Sequence, residues 1–331
     1  MVNRVGEVGF RQTTALLVAS LVRRHCEVYL ANVDAVSFAS HEGGPGFFAE
    51  CIRVLPSEKC DSNEVEATAK SALTHTQVRL GSDDVILIRT NPGRDLDRMP
   101  VHDTFLDVCR AAKLRGIGVI NDPDHLQFFA SKASLAAIDP NYCPPMMVSH
   151  SHSSIVEFVK SSNCDCVIKP LAGSRGQDVI RVNGKTDDLL GRVAKTFGQR
   201  GLVAQHFVDA DQPGDKRVVV VNGEILRSGD ELGGIERHPA TNDFRANLHA
   251  GGTAHRLTLT KSEREAAEYA AELLNANGIW LAGVDLIADK IIEFNVFSTG
   301  GLFDAIRFSG IDFGDVIVDR FLADIKKGRP T

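Results

Sequence analysis

The stretch Gly283-Val284-Asp285-Leu286-Ile287-Ala288-Asp289-Lys290-Ile291-Ile292-Glu293-Phe294-Asn295 decides how the rest of the chain is read. Two apolar runs flank Ala288-Asp289-Lys290, so a hairpin is expected with those three residues as its loop. In that register Asp285 stands directly across from Glu293 on the same face, and the period of two along a strand brings Asn295 to that face as well. Two carboxylates and one amide oxygen then converge from paired strands, a hard, oxygen-only, anionic site suited to Mg²⁺ rather than zinc. Read from the residues alone, the alternative is that Asp285 ends a strand while Glu293 and Asn295 lie on a solvated face. Polar residues interrupting strands this apolar argue against it.

A second constellation lies upstream, at residues 167–179, VIKPLAGSRGQDV. A strand that ends in Lys169 and then turns through Gly173 to Gly176 can supply one fixed positive charge and a lid of backbone N–H donors for a nucleotide's phosphates. The spacing is not that of a Walker P-loop. Such a Gly-x-x-Gly turn is also ordinary hairpin punctuation, and the residues alone leave both readings open. Asp215, Lys216 and Arg217 add a third set of charges at the start of an expected strand.

Composition narrows the setting. A chain of 331 residues has room for two or three packed units, and 43% hydrophobic with 24% charged residues fits a folded chain rather than a disordered one. No apolar run approaches the roughly 18 residues that a membrane span needs. The longest, residues 14–22, lies between Arg11 and the pair Arg23, Arg24, has no small-residue cleavage site behind it, and is expected to be a helix. Thirty-seven basic against 43 acidic residues, with no long run of Lys or Arg, leave no footprint for a nucleic-acid partner. The seven cysteines (Cys26, Cys51, Cys60, Cys109, Cys143, Cys164 and Cys166) are odd in number and form no C-x-x-C pair, which points to free thiols in a reducing, cytoplasmic setting. Cys164 and Cys166 alternate on an expected strand, but no second Cys/His pair stands at zinc spacing, so both are read as structural.

The first half alternates a helix (11–24), strands (27–31 and 85–89), a helix (102–115) and a strand (117–121), the order of an α/β unit with a mainly parallel sheet. Its customary first strand is not evident, since residues 1–10 hold only scattered apolar side chains; either the start is cut short or that strand is short and irregular. A domain boundary is expected near Asn121, where Asp122-Pro123 punctuates, and a second α/β segment runs through residues 167–169 and 179–182. β-rich runs follow at 202–207, 217–221, 280–287 and 291–297, with helices at 262–276 and 314–326. Residues 229–252 are polar, rich in Gly and His and without a convincing period, and are expected to be a lid, a binding loop or a disordered segment.

In this order the pieces resemble the ATP-grasp superfamily, and most closely the bacterial-type glutathione synthetases. The resemblance runs from residue 84 to the C-terminus through DVILIR (84–89), VINDPDHLQFFASK (119–132), VIKPLAGSRG (167–176), LVAQHFV (202–208), GDKRVVVVNGE (214–224), RANLHAGG (245–252) and GVDLIADKIIEFNV (283–296). It implies an α/β (α+β) architecture: a Rossmann-like pre-ATP-grasp domain at 1–121, a small ATP-grasp subdomain with the Gly-rich loop at 122–201, and a C-terminal subdomain with the lid and metal site at 202–331. It also implies an ATP-dependent carboxylate–amine ligase that works through an acyl phosphate, with two Mg²⁺ ions for which Mn²⁺ can stand in. The reaction expected is γ-glutamylcysteine plus glycine giving glutathione; the alternatives are a sister ligase for another pair, or an ATP-binding module without ligation. Partners are small molecules, without nucleic acid or membrane, in a homo-oligomer (dimer or tetramer).

The resemblance also implies roles. Lys132 and Lys169 hold the ATP phosphates under the loop containing Gly173, Ser174 and Gly176. Gln205, His206, Phe207 and Val208 form the hinge whose backbone reads the adenine edge, with Asp215 and Lys216 near the nucleotide. Arg217 and Arg245 serve the transferred phosphate and the acyl phosphate. Asp285, Glu293 and Asn295 are the metal ligands, and Arg89, Asn247, Ser298, Thr299 and Gly300 surround the substrates. The lid candidates are the Gly173 loop and residues 229–244, which keep water from a hydrolysable acyl phosphate. His150, His152, His238 and His249 are read as surface or loop residues. Three features depart from the family: a longer connection between Glu224 and Arg245, the run Val296-Phe297-Ser298-Thr299-Gly300-Gly301-Leu302 where Thr-Ser-Pro-Thr-Gly is usual, and the missing first strand.

Overall fold

The computed structural model describes residues 1–41, 44–71, 75–173, 178–209, 214–241, 243, 245, 246, 248 and 251–327. The first 121 residues carry α1 (Thr13–Arg23), β1 (Val28–His41), β2 (Gly44–Val54), α2 (Ser62–Ser71), β3 (Thr76–Leu80), β4 (Val85–Leu87), α3 (Met99–Leu114) and β5 (Gly118–Ile120). β4, α3 and β5 make a crossover unit whose two strands pair in parallel, Val85 opposite Gly118. Residues 1–10 form no strand; the Met1 carbonyl accepts from the Arg89 N–H at 2.9 Å, and Val2 makes one isolated parallel bridge to Asn32. β1, β2 and β3 instead form an antiparallel sheet, because β1 and β2 follow each other with a connection too short for a crossover.

The next segment holds α4 (Pro123–Ala130), β6 (Met146–Ser149), α5 (His152–Ser161), β7 (Cys166–Pro170), β8 (Ile180–Val182), α6 (Leu189–Phe197) and β9 (Leu202–His206). The four strands form one antiparallel sheet in the order β6-β9-β7-β8. Cys166 and Ile168 on β7 alternate inward against Ile155 and Val159 of α5 and Leu189, Val193 and Phe197 of α6, spaced one helical turn apart. The intervening residues Val167 and Lys169 therefore face away from the helices.

The remainder contains β10 (Asp215–Val221), β11 (Glu224–Ile225), β12 (Arg227–Ser228), β13 (Glu231–Leu232), β14 (Gly234–His238), β15 (Thr253–Arg256), α7 (Lys261–Ala276), β16 (Leu281–Ile287), β17 (Lys290–Asn295), α8 (Leu302–Ser309) and α9 (Phe313–Lys326). The main sheet runs β15-β14-β10-β16-β17, with β11 on β10. Asn222 and Gly223 take positive φ (49° and 81°) between β10 and β11, as a tight hairpin turn requires. α7 starts at a capping box, Thr260 Oγ1 accepting from the Glu263 N–H while the Glu263 carboxylate accepts from the Thr260 N–H. Its Ala266, Ala267, Ala270, Ala271 and Leu274 pack on the sheet. One core runs without a break from Val33, Ile86 and Phe105 to Val218, Val284 and Phe294, joining the two halves of the chain.

Two expectations are corrected. Residues 231–238 are not loop: β13 and β14 lie there, with Ile235 and Arg237 buried. Short strands punctuated by Gly233-Gly234 hide their alternation from a periodicity reading. The β16–β17 loop is also shorter than expected, since Ile287 pairs with Lys290 and only Ala288-Asp289 turn. Asp285 nevertheless faces Glu293, because a bulge at Ile292 adds back the residue that the loop gives up.

Candidate active site

The site is built where the polar face of the main sheet meets the helix-free face of the small one. On the main sheet, Arg217 stands opposite Asp285 in the β10–β16 ladder, and Asp215 stands opposite Arg237 in β10–β14. The register puts four charged side chains on one face. Arg217 grips Asp285 with two parallel bonds, Nε to Oδ1 at 2.7 Å and Nη2 to Oδ2 at 2.6 Å. Arg237 adds a third, Nη2 to Asp285 Oδ2 at 2.8 Å, and its Nε donates to Asp215 Oδ1 at 2.5 Å. Asp285 is only 2% exposed and Arg237 4%. Burial opposes ionisation of Asp285, yet the Arg217 and Arg237 guanidiniums outweigh it and hold its carboxyl well below the usual range. At Asp215 burial wins, and its pKa is raised despite Arg237.

Glu293 lies beside Asp285 and pairs with Lys132 Nζ at 3.2 Å. The bulge at Ile292 has a second consequence: the Ile292 carbonyl accepts from Lys169 Nζ at 3.5 Å, which joins β7 of the small sheet to β17 of the large one. Burial, and then repulsion by Lys132, lowers the Lys169 pKa to about 8, against the opposing pull of Glu293 and Asp285. Asn295 is opposite Gly283, and its Nδ2 is buried without a hydrogen-bond partner. Gly283 has no room for a side chain, since a Cβ there would sit 2.2 Å from Thr299 Oγ1. That close approach sets the 298–301 turn against Arg217.

Thr299 connects the cluster to the first half of the chain. Its carbonyl accepts from Arg89 Nη2 at 3.4 Å, and Arg89, 5% exposed, has its Nε buried without an acceptor. Burial alone lowers the Arg89 pKa to about 10. Thr90 Oγ1 next to it is buried and unsatisfied as well. Buried polar groups are nearly always bonded, and these two atoms are exceptions.

The structure therefore brings Lys132, Lys169, Asp215, Arg217, Asp285, Glu293, Asn295, Thr299, Gly300 and Arg89 into one connected region. Ser298 is half-buried on the same turn, and Gly173 closes β7's connection near Gly93. Gln205 is buried on the helix-free face, and its Nε2 has no partner. His206 turns its ring to Ser162 Oγ at 2.9 Å, so its imidazole belongs to the scaffold. The His206 and Phe207 N–H groups donate to Pro145 and Asp165 carbonyls; among the described residues only Val208 of that hinge keeps its N–H without an acceptor. Ser174, Gly176 and Asn247 lie outside the described residues.

Two of the expected residues stand apart from this cluster. Lys216 is on the opposite face of β10, one residue out of phase with Asp215 and Arg217, and bonds Glu263 of α7 at 2.8 Å. Arg245 is paired with Asp243 beyond the end of β14, Nη2 to Oδ2 at 2.8 Å, and the second guanidinium on Asp285 is Arg237. The signal that could have found Arg237 was the alternation Ile235-Glu236-Arg237, masked by reading this segment as loop.

The donor chemistry fits a divalent cation. Among the described residues no three His, Cys, Asp or Glu side chains are grouped to form a metal cage. Two adjacent carboxylates and an amide suit Mg²⁺, which is held by one or two carboxylates together with substrate phosphates. Among the described residues no helix is long and apolar enough to cross a membrane.

Comparison with known proteins agrees with this geometry. The sequence profile of the prokaryotic glutathione synthetase ATP-grasp domain matches residues 134–310. The glutathione synthetase of Nitrosomonas europaea is 26% identical over 324 residues, 97% of this chain and 95% of that protein. That of Xanthomonas campestris is 31% identical over 67% of this chain and 68% of its own length. Among solved structures, the ATP-grasp ligase PsnB, with a phosphomimetic precursor variant, Mg and ADP, superposes with a TM-score of 0.61 at 13% identity, over 98% of this chain and 97% of that one. D-cycloserine synthetase DcsG gives 0.53 at 17% identity, over 72% and 84%. These two show a shared fold. With its profile match across more than half its length, the chain belongs to the prokaryotic glutathione synthetase family of the ATP-grasp fold and is an ATP-dependent ligase that joins a carboxylate to an amine.

Proposed function

We propose that the protein is a glutathione synthetase, joining γ-glutamylcysteine to glycine and cleaving ATP to ADP and phosphate with Mg²⁺. The observation that carries the chemistry is the meeting of Lys132 and Lys169 with Arg217, Arg237, Asp285 and Glu293 across two sheets. Phosphoryl transfer asks mostly for positioning and neutralisation of spread negative charge, which Lys169, Arg217 and Arg237 on strands and Lys132 on the 3-10 turn after α4 supply. Lys132 and Lys169 hold the phosphate chain, and Arg217 and Arg237 are aimed at the transferred group. Asp285, Glu293 and Asn295 hold the cation, which when bound neutralises phosphate charge. Arg89 receives a substrate carboxylate and thereby places the reacting carboxylate against the γ-phosphate. That carboxylate attacks phosphorus and ADP departs; the glycine amine then attacks the acyl carbon, phosphate leaves, and the amine loses a proton. Residues 1–121 form the substrate side, 122–201 the small ATP-grasp subdomain, and 202–331 the subdomain with the metal ligands.

The test is phosphate release from Mg-ATP with γ-glutamylcysteine, with and without glycine, beside a panel of other amino acids. Release that requires both named substrates is expected. Release only with another pair makes the protein a sister ligase, and the departing run 296–302, which includes Thr299 on Arg89, is where specificity changed.

A further inference from the structure

At the end of the small sheet farthest along β7 from Lys169, three residues close on one another. Val167 stands opposite Gln205 on β9 and Arg181 on β8, so Arg181, Gln205 and Phe207 share the helix-free face with Lys169. The Arg181 guanidinium lies over the Phe207 ring, 3.7 Å from its centroid. Arg181 Nε donates to Asp165 Oδ2 at 2.7 Å, and Asn183 Nδ2 donates to the other carboxylate oxygen at 3.2 Å. The Asp165 main-chain carbonyl accepts from the Phe207 N–H at 2.8 Å. Ring, ion pair and main-chain bond thus form a closed triangle around the hinge, with residues drawn from three strands' ends. The Arg181 bond holds the Asp165 carboxyl below its ordinary range.

Beside Phe207 in sequence, Gln205 Nε2 and the Val208 N–H have no hydrogen-bond partner among the described residues. Lys169 points the other way, toward Ile292 and the phosphate-holding cluster. We infer that Arg181 is a positioning residue for the base end of the nucleotide: by pinning the Phe207 ring to Asp165 it fixes the backbone that presents the Val208 N–H to the base. A guanidinium stacked on an aromatic face while bonded to a carboxylate restrains both partners, and lysine, without the planar fork, cannot reproduce it. The inference rests on the nucleotide reading of the site.

The test compares binding of ATP and of inorganic tripolyphosphate, each with Mg²⁺, to the intact protein by calorimetry. Arg181→Ala weakens ATP about five- to tenfold, the range for loss of a partly exposed cation–π contact, and leaves tripolyphosphate within about twofold. Arg181→Lys falls between, and Phe207→Leu in the Arg181→Ala background adds little, because the two act through one contact. In steady state the Arg181→Ala effect falls on the KM for ATP and not on kcat. An unchanged ATP affinity in Arg181→Ala, an equal loss for tripolyphosphate, or additive effects of Arg181→Ala and Phe207→Leu would each overturn the inference. Should Arg181→Ala not fold, Arg181→Lys and Phe207→Leu make the same comparison. Wild-type protein that binds tripolyphosphate as tightly as ATP refutes the base-reading hinge itself, independently of Arg181.

Discussion

Arg237 offers the sharpest test of the charge cluster. In Arg237→Met the apolar stem is kept while the guanidinium that joins Asp215 to Asp285 is lost, and their side chains are 12% and 3% exposed. Breaking a buried pair costs about 3–5 kcal/mol, chiefly because a charge stays behind without its partner. Arg217 still holds Asp285, so the stranded charge is that of Asp215. Asp215→Asn added to Arg237→Met is therefore expected to recover about 1–2 kcal/mol by removing that charge. Turnover should fall by about 10²–10³, the size of losing one preorganised donor at a reacting oxygen, and the second substitution should not restore it. Urea unfolding and phosphate release with saturating substrates measure the two effects separately. If Arg237→Met turns over within a few-fold of wild type, or if Asp215→Asn lowers stability further, the account of Arg237 as both strut and catalytic cation is wrong.

Arg89→Met should stabilise the ligand-free protein by about 1–2 kcal/mol, since it removes a buried cation that no carboxylate among the described residues faces. The same change should raise the KM for the carboxylate substrate about a hundredfold with ATP affinity unchanged; a loss of stability without a KM effect would make Arg89 a scaffold residue. If Lys169 holds phosphate as proposed, it does so protonated, so ATP binding to the free enzyme should weaken by up to tenfold per pH unit above about 8, and Lys169→Arg should abolish that slope in titrations from pH 7 to 9.5. The sign for folding is opposite: an unfolded lysine keeps its proton to near 10.5, so this group makes stability rise between about 8 and 10.5. Glu293→Gln should raise the Mg²⁺ concentration needed for half-maximal turnover at least about tenfold while the far-ultraviolet circular dichroism is unchanged. An unaltered Mg²⁺ requirement would remove Glu293 from the cation site.

What could be read from the chain and what could not divide along a physical line. The hairpin 283–295 was legible because its signal is local: two apolar runs, a turn, and polar residues in phase. Even there the loop is one residue shorter than the pattern suggests, and the bulge at Ile292 restores the register while freeing the carbonyl that meets Lys169. A bulge answers to packing against partners far along the chain and leaves no periodic trace. The strand carrying Arg237 is five residues long and lies where Gly and His suggest loop, so its alternation is below what a period can reveal.

The mixed α/β order, the collinear motifs and the identity of the charged side chains are legible along the chain, because they depend on neighbours a few residues apart. Which cations face which anions is set by long-range pairing in the fold. Asp285 meets Arg217 across 68 positions and Arg237 across 48, and Arg89 meets Thr299 across 210. The fold likewise sends Lys216 to the helix side of its strand and leaves Arg245 with Asp243. Strand pairing and the face a residue lands on are set by the whole sheet, and a shift of one residue reverses them.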